Sequence, residues 1–251
     1  MAMIVLFSSF PLLFALTVGL VGLVAASLLN RLRQVLPSRM EREWATDCRA
    51  LLKAKGELAA GPEVAEPAVV HSPCRLWLRL AVALVGAITA WRFGFGWQGG
   101  AAIFLTWVLL LLTLIDLRTQ LLPDIITQPL LWLGLLLNLG GLFTTLPAAV
   151  LGAVFGYLSL WIIFHAFRLL TGKEGMGYGD FKLLALLGAW LGWQVLPLVL
   201  LLSALLGAVV GLVLIIWGGH DRRQPIPFGP WLALAGWVAL LGGDQLLQIW
   251  P

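Results

Sequence analysis

Charge is what this sequence has least of: only 11% of its 251 residues are Asp, Glu, Lys or Arg, against roughly 25% in an ordinary soluble domain. A free cytosolic enzyme is excluded, because 61% of the chain is apolar and too little polar surface remains to cover it in water. Cysteine is nearly absent too. Cys48 and Cys74 lie far apart in a polar segment and make neither a Cys-x-x-Cys pair nor a four-ligand zinc set, so no structural metal is expected. Soluble repeats and low-complexity tracts are missing. Basic residues outnumber acidic ones by only four, and in a chain this apolar the excess describes membrane topology rather than a nucleic-acid footprint.

What is present is apolar length. A membrane-spanning helix takes about 20 apolar residues, and the charge-free runs divide into eight spans. The first covers 1–29, with no basic residue before Arg31, which is unlike a signal peptide. Residues 30–75 hold half of the charged residues and are expected to form a polar cytoplasmic loop, with an exposed helix over Pro37–Lys55 and an irregular Gly- and Pro-rich remainder. Residues 76–251 supply the other seven spans, with turns at LGGLFTTLP and GWQVLP. The expected fold is therefore all-α, a polytopic membrane bundle in contact with lipid. Cytoplasmic loops are enriched in Lys and Arg, and eight spans threaded from the basic loop put every basic residue except Arg92 at or near one face.

Few acidic residues lie outside that loop. Asp116, in LTLIDLRTQLLPDIIT, and Asp180, in GKEGMGYGDFKLL, are expected at the same edge of two different spans. An ionisable residue there is costly unless it faces a bundle interior or an aqueous cavity, which marks both as functional candidates. Two carboxylates in one small site do not both ionise easily, so one keeps a proton while the other acts as a base. Such a pair activates water against a peptide carbonyl without a metal or a covalent intermediate. Gly175, Gly177 and Gly179 alternate just before Asp180, giving access to positive φ and close approach of an extended substrate; a plain turn with Asp180 as an N-cap competes with that reading. Asp124 follows Pro123 and is accounted for by N-capping alone. His165 reads as a hydrogen-bonded core histidine rather than a proton relay. Arg118, Lys173 and Lys182 either hold substrate or tune the aspartates, or are simple positive-inside anchors.

These residues form a pattern. Asp116, Pro123-Asp124 and the run KEGMGYGDFKLLALLGAW resemble the type IV prepilin peptidase family of Gly-x-Gly-Asp membrane aspartic proteases. The likeness extends to Ser27–Asn30, Met40–Trp44 and Pro227-Phe228-Gly229-Pro230. It implies that Asp116 and Asp180 are the catalytic pair, removing a basic leader from prepilins or type II secretion pseudopilins at the cytoplasmic face of the bacterial inner membrane. The usual cut follows a Gly and precedes a Phe. The same resemblance implies a second activity, N-methylation of the new amino terminus with S-adenosylmethionine, and Glu41 matches a loop carboxylate linked to it. The family's paired Cys-x-x-Cys motifs are missing here, so no zinc is expected, and proteolysis needs no cofactor. A proton-coupled transporter and a noncatalytic assembly factor are the competing classes. Transporter sites lie near the bilayer midplane on broken helices of related halves, whereas these aspartates sit at one edge and no repeated half is visible.

Overall fold

The computed structural model describes residues 7, 10–54, 76–172, 176–217 and 227–247. Among the described residues the chain forms eight α-helices: α1 (Pro11–Ala54), α2 (Leu76–Phe93), α3 (Trp97–Thr119), α4 (Asp124–Leu139), α5 (Leu146–Thr171), α6 (Tyr178–Leu191), α7 (Leu196–Trp217) and α8 (Gly229–Leu247). A 3-10 turn at Trp193–Val195 joins α6 to α7. The protein is a helical membrane bundle. Five stretches are long and apolar enough to cross a bilayer; they correspond to α1, α2, α3, α5 and the 3-10 turn with α7. The helices α4, α6 and α8 are shorter. Both expected turns are present, with Gly141 at φ 65° and Gly192 at φ 89° supplying backbone that a side chain would strain.

The change of composition at Asn30 is not a break in the backbone. α1 runs through it and through Pro37 as one helix, because the polar half is rich in Arg, Glu, Ala and Leu, all strong helix formers. The helix expected over Pro37–Lys55 is thus the second half of α1. It passes across the end of α3, where Pro37, Met40 and Trp44 meet Ile115, Thr119 and Leu121.

α6 sits at the centre. Every residue from Leu183 to Trp190 is buried, in contact with α4, α5, α7 and α8. At 14 residues it spans only about 21 Å, less than the hydrocarbon thickness, so it is sheathed by longer neighbours rather than by lipid. Gly152 of α5 and Gly188 of α6 bring the two backbones into direct contact, each lying where the other's Cβ would clash. Small residues at such crossings let helices pack by van der Waals contact where no hydrophobic force drives them together.

The far end of α6 is locked by polar groups. The Asn138 side chain donates to the carbonyls of Ala189 (2.9 Å) and Trp190 (3.0 Å) and accepts from the backbone N–H groups of Phe143 and Thr144. The Trp190 indole N–H donates to the Leu130 carbonyl at 2.8 Å. Asn138 is only 1% exposed, so replacing it with Ala strands several buried partners. Asn138→Ala is expected to lower stability by about 3 kcal/mol, read as a clear fall in Tm in detergent; an unchanged Tm would show that the lock is dispensable.

Candidate active site

Four helix ends converge at the other end of the bundle. The apolar last turns of α3 carry Asp116 inward. The helix stops four residues later at Gln120, whose N–H donates to the Asp116 carbonyl at 2.8 Å. Gln120 has φ 54° and is the one non-glycine residue with positive φ among those described, an αL stop that ends the helix immediately past the carboxylate. Asp180 lies in the first turn of α6, three residues after the N-cap Gly177. From that position a carboxylate reaches back to the N-cap backbone, and the Gly177 amide does face the Asp180 carboxylate. Asp116 is 4% and Asp180 6% exposed.

The two carboxylates meet at Gly229, the first residue of α8. A Cβ added there would lie 2.6 Å from Asp116 Oδ2 and 3.4 Å from Asp180 Oδ1. Those oxygens are therefore no more than about 6 Å apart, within the range over which one carboxylate feels another's charge. The backbone amide of Gly229 faces Asp116, so each aspartate looks at the N-terminal end of a helix, where the dipole favours negative charge. Asp116 Oδ2 is buried with no hydrogen-bond partner among the described residues. Both carboxylates line a cavity of about 600 Å³, which Met40, Trp44, Gln120 and Phe228 also line.

The other candidates fall in different places. Gly177 is extended, at φ −80° and ψ 146°, and lines the cavity. Gly179 is helical, and its missing side chain makes room for Leu122, whose Cβ would lie 2.8 Å from a Cβ on Gly179. Neither uses positive φ; Gly177 caps α6 and Gly179 lies in its first turn. Asp180 is accordingly not an N-cap. Gly175 and Lys173 lie outside the described residues, as does Cys74. Glu41 lies in α1, with its side chain outside them. Arg118 is exposed and does not line the cavity. His165 is half-buried and bonds the Trp161 carbonyl at 2.9 Å, so it is hydrogen-bonded but is not a core residue. Cys48 is an exposed free thiol.

Asp124 departs from its expected role. Pro123 occupies the N-cap of α4, and the Asp124 carboxylate instead takes both its oxygens to Lys182 Nζ, at 2.6 and 2.7 Å. This pair ties the start of α4 to the start of α6 at the rim of the cavity, two residues from Asp180. Partly exposed ion pairs contribute modestly, so Lys182→Met is expected to lower kcat about fivefold with little change in KM. The exchange of Asp124→Lys with Lys182→Asp is expected to recover most of that loss. Failure of the exchange to recover any activity would remove the pairing role.

The parts that Gln120, Phe228, Gly229, Met40 and Trp44 play at the site escape sequence reasoning. Gln120 carries no chemical signature. Phe228-Gly229 belongs to a recognisable string, but nothing local says that it touches the aspartates. Met40 and Trp44 are drawn in by the unbroken α1. No group of three or more metal-ligating side chains occurs among the described residues.

Comparison with known proteins gives the chain a family. The model of the type IV leader peptidase family matches residues 103–212, the stretch that holds both aspartates and the Asp124–Lys182 pair. A Pseudomonas aeruginosa protein named prepilin leader peptidase/N-methyltransferase is 46% identical, over 96% of this chain and 94% of its own length. Proteins of the same name from Aeromonas hydrophila (46%, over 95% of this chain and 94% of the relative) and Xanthomonas campestris pv. campestris (40%, over 90% and 91%) align along nearly all of both chains. No solved structure matches. With a paired-aspartate site at one end of a membrane bundle and likeness along almost its whole length, this chain belongs to the type IV leader peptidase family.

Proposed function

We propose that this chain is a multi-pass inner-membrane endopeptidase that hydrolyses the leader from prepilins or related pseudopilins, and that it also N-methylates the new amino terminus. The observation that carries the peptidase reading is the meeting of Asp116 and Asp180 at Gly229, from two different helices, on one cavity. The pair shares a proton. The ionised carboxylate takes a proton from a water as that water attacks the scissile carbonyl, while the protonated one donates to the carbonyl oxygen; as the C–N bond breaks, the first carboxyl passes its proton to the leaving amine and the gem-diol returns a proton to the second, restoring the shared-proton pair. Gly177 leaves the approach to Asp180 open for an extended backbone. The positive-inside pattern, with Lys182 and Arg118 at this end of the bundle, supports a cytoplasmic position for the site.

The relatives' shared name supports methyl transfer, with S-adenosylmethionine the donor we propose. The described residues of segment 30–75 that face a cavity, Pro37, Met40 and Trp44, are apolar and offer no carboxylate or amide to an adenosyl sulfonium group. They do not form a site for it, and no methyl-transfer step is assigned to them.

The test is mass spectrometry of the products formed by protein reconstituted in lipid, with a synthetic substrate of basic leader, Gly-Phe bond and apolar helix. The expected result is a released leader ending in Gly and, with S-adenosylmethionine present, a Phe-terminated product heavier by one methyl group. An intact substrate would sink the peptidase reading; cleavage without the added mass would remove methylation alone.

A further inference from the structure

A second cavity is lined by the residues that directly follow Asp116 and Gly229, Leu117 and Pro230. It is a groove of about 260 Å³ between α3 and α8, walled at one edge by Val85 of α2. Along α3 it is lined by Thr106, Leu110, Thr113 and Leu117, one face of the helix at spacings of four, three and four. Along α8 it is lined by Pro230, Leu234 and Trp237. Leu117 follows Asp116 directly and Pro230 follows Gly229, so the groove starts at the level of the paired carboxylates. From Leu117 to Thr106 it descends about 16 Å into the bundle, half the hydrocarbon thickness.

Its chemistry is as one-sided as its position. The two hydroxyls in its wall are satisfied within α3, by the carbonyls of Ala102 and Leu109. Trp237 spends its indole N–H on Thr89, and the indole N–H of Trp231, also in the wall, is buried without a partner among the described residues, the one polar group the wall leaves unpaired. The groove therefore offers apolar contact, and Leu117 (57% exposed) and Leu234 (40%) open it to the bilayer. The cavity at the aspartates holds the charged and polar groups. A substrate bond held there thus has an apolar, lipid-open groove beginning at the residues next to Asp116 and Gly229.

We infer that the α3–α8 groove binds the apolar membrane segment of the substrate itself, seating it against Leu117 and Leu234 while the bond to be cut lies at Asp116 and Asp180. This rests on the peptidase reading above. It deepens that reading by fixing the face of the bundle through which the substrate enters. An apolar segment joined to the scissile bond is the occupant whose chemistry fits both the groove and its start beside Asp116 and Gly229.

Two measurements test it, both with the synthetic substrate described above. In the first, a photoreactive phenylalanine analogue replaces Leu117, Leu234 or, as lipid-facing controls, Trp132 of α4 or Ile162 of α5, all in a chain inactivated by Asp180→Asn. Crosslinks to substrate are expected from Leu117 and Leu234 and not from the controls. In the second, Leu234→Trp fills the groove, and KM for the full substrate is compared with KM for a short peptide lacking the apolar helix. The ratio is expected to rise about tenfold, whereas Ile162→Trp leaves it unchanged. Crosslinks confined to α4 or α5, or equal at all four positions as lipid occupancy of the groove would give, overturn the inference, as does an unchanged ratio in Leu234→Trp. Wild-type cleavage of the full substrate is the separate check: if it is present while the crosslinks map elsewhere, only the groove assignment fails; if it is absent, the peptidase reading fails.

Discussion

Replacing Asp116 or Asp180 with Asn is expected to lower kcat by at least about a thousandfold, with Tm in detergent held close to that of the unmodified chain. Each substitution is nearly isosteric. Each also removes the one property the site needs, a carboxyl group that exchanges a proton with its neighbour. The double variant is expected to be no worse than either single one, because groups that act as a unit lose their joint effect when the first is removed. A progressive, multiplicative loss would mean that the two aspartates work independently. Steady-state rates on the synthetic leader substrate, with Tm measured on the same preparations, decide between these outcomes.

Gly229→Ala is the second large effect, and it needs no change of charge. The added methyl would press on Asp116 Oδ2 at 2.6 Å, on its Cγ at 3.1 Å and on Asp180 Oδ1 at 3.4 Å. Either the carboxylates move apart or the start of α8 retreats. A displacement near 1 Å in a catalytic constellation costs about a hundredfold in rate. We expect a loss of that size in kcat, with KM changed far less. Gly100→Ala, at the end of α3 away from Asp116, is a suitable control: a Cβ there meets nothing within 4 Å. Near-normal kcat in Gly229→Ala would show that the first turn of α8 does not set the carboxylate geometry.

Much of the site was legible because charge is rare in this chain. An aspartate at the end of an apolar run stands out on energetic grounds alone, and the basic residues fix which ends lie together, so Asp116 and Asp180 emerge as a pair before any coordinates. Eight helices follow from the same sparseness. Where the sequence misled, the cause is physical. The change from apolar to charged residues at Asn30 imitates an element boundary, yet helix propensity is indifferent to that change, and α1 continues. Pro123-Asp124 imitates an N-cap, but the proline takes that position itself, and the aspartate finds a lysine 58 residues further along. The glycines before Asp180 looked alike, although Gly177 is extended and Gly179 is helical against Leu122. Gly229 illustrates the remaining limit: its importance comes from a tertiary contact with a residue on another helix, and no local pattern encodes that.

The central claim is that two carboxylates of one chain make one catalytic unit. Vesicles holding equal amounts of the Asp116→Asn and Asp180→Asn chains test it most directly, with the unmodified chain as reference and released leader as the readout. The expected result is that the mixture is as inactive as either variant alone, because neither chain has both carboxylates beside its Gly229. Recovery of a substantial fraction of the reference rate would contradict the account, since the working aspartates would then come from different chains.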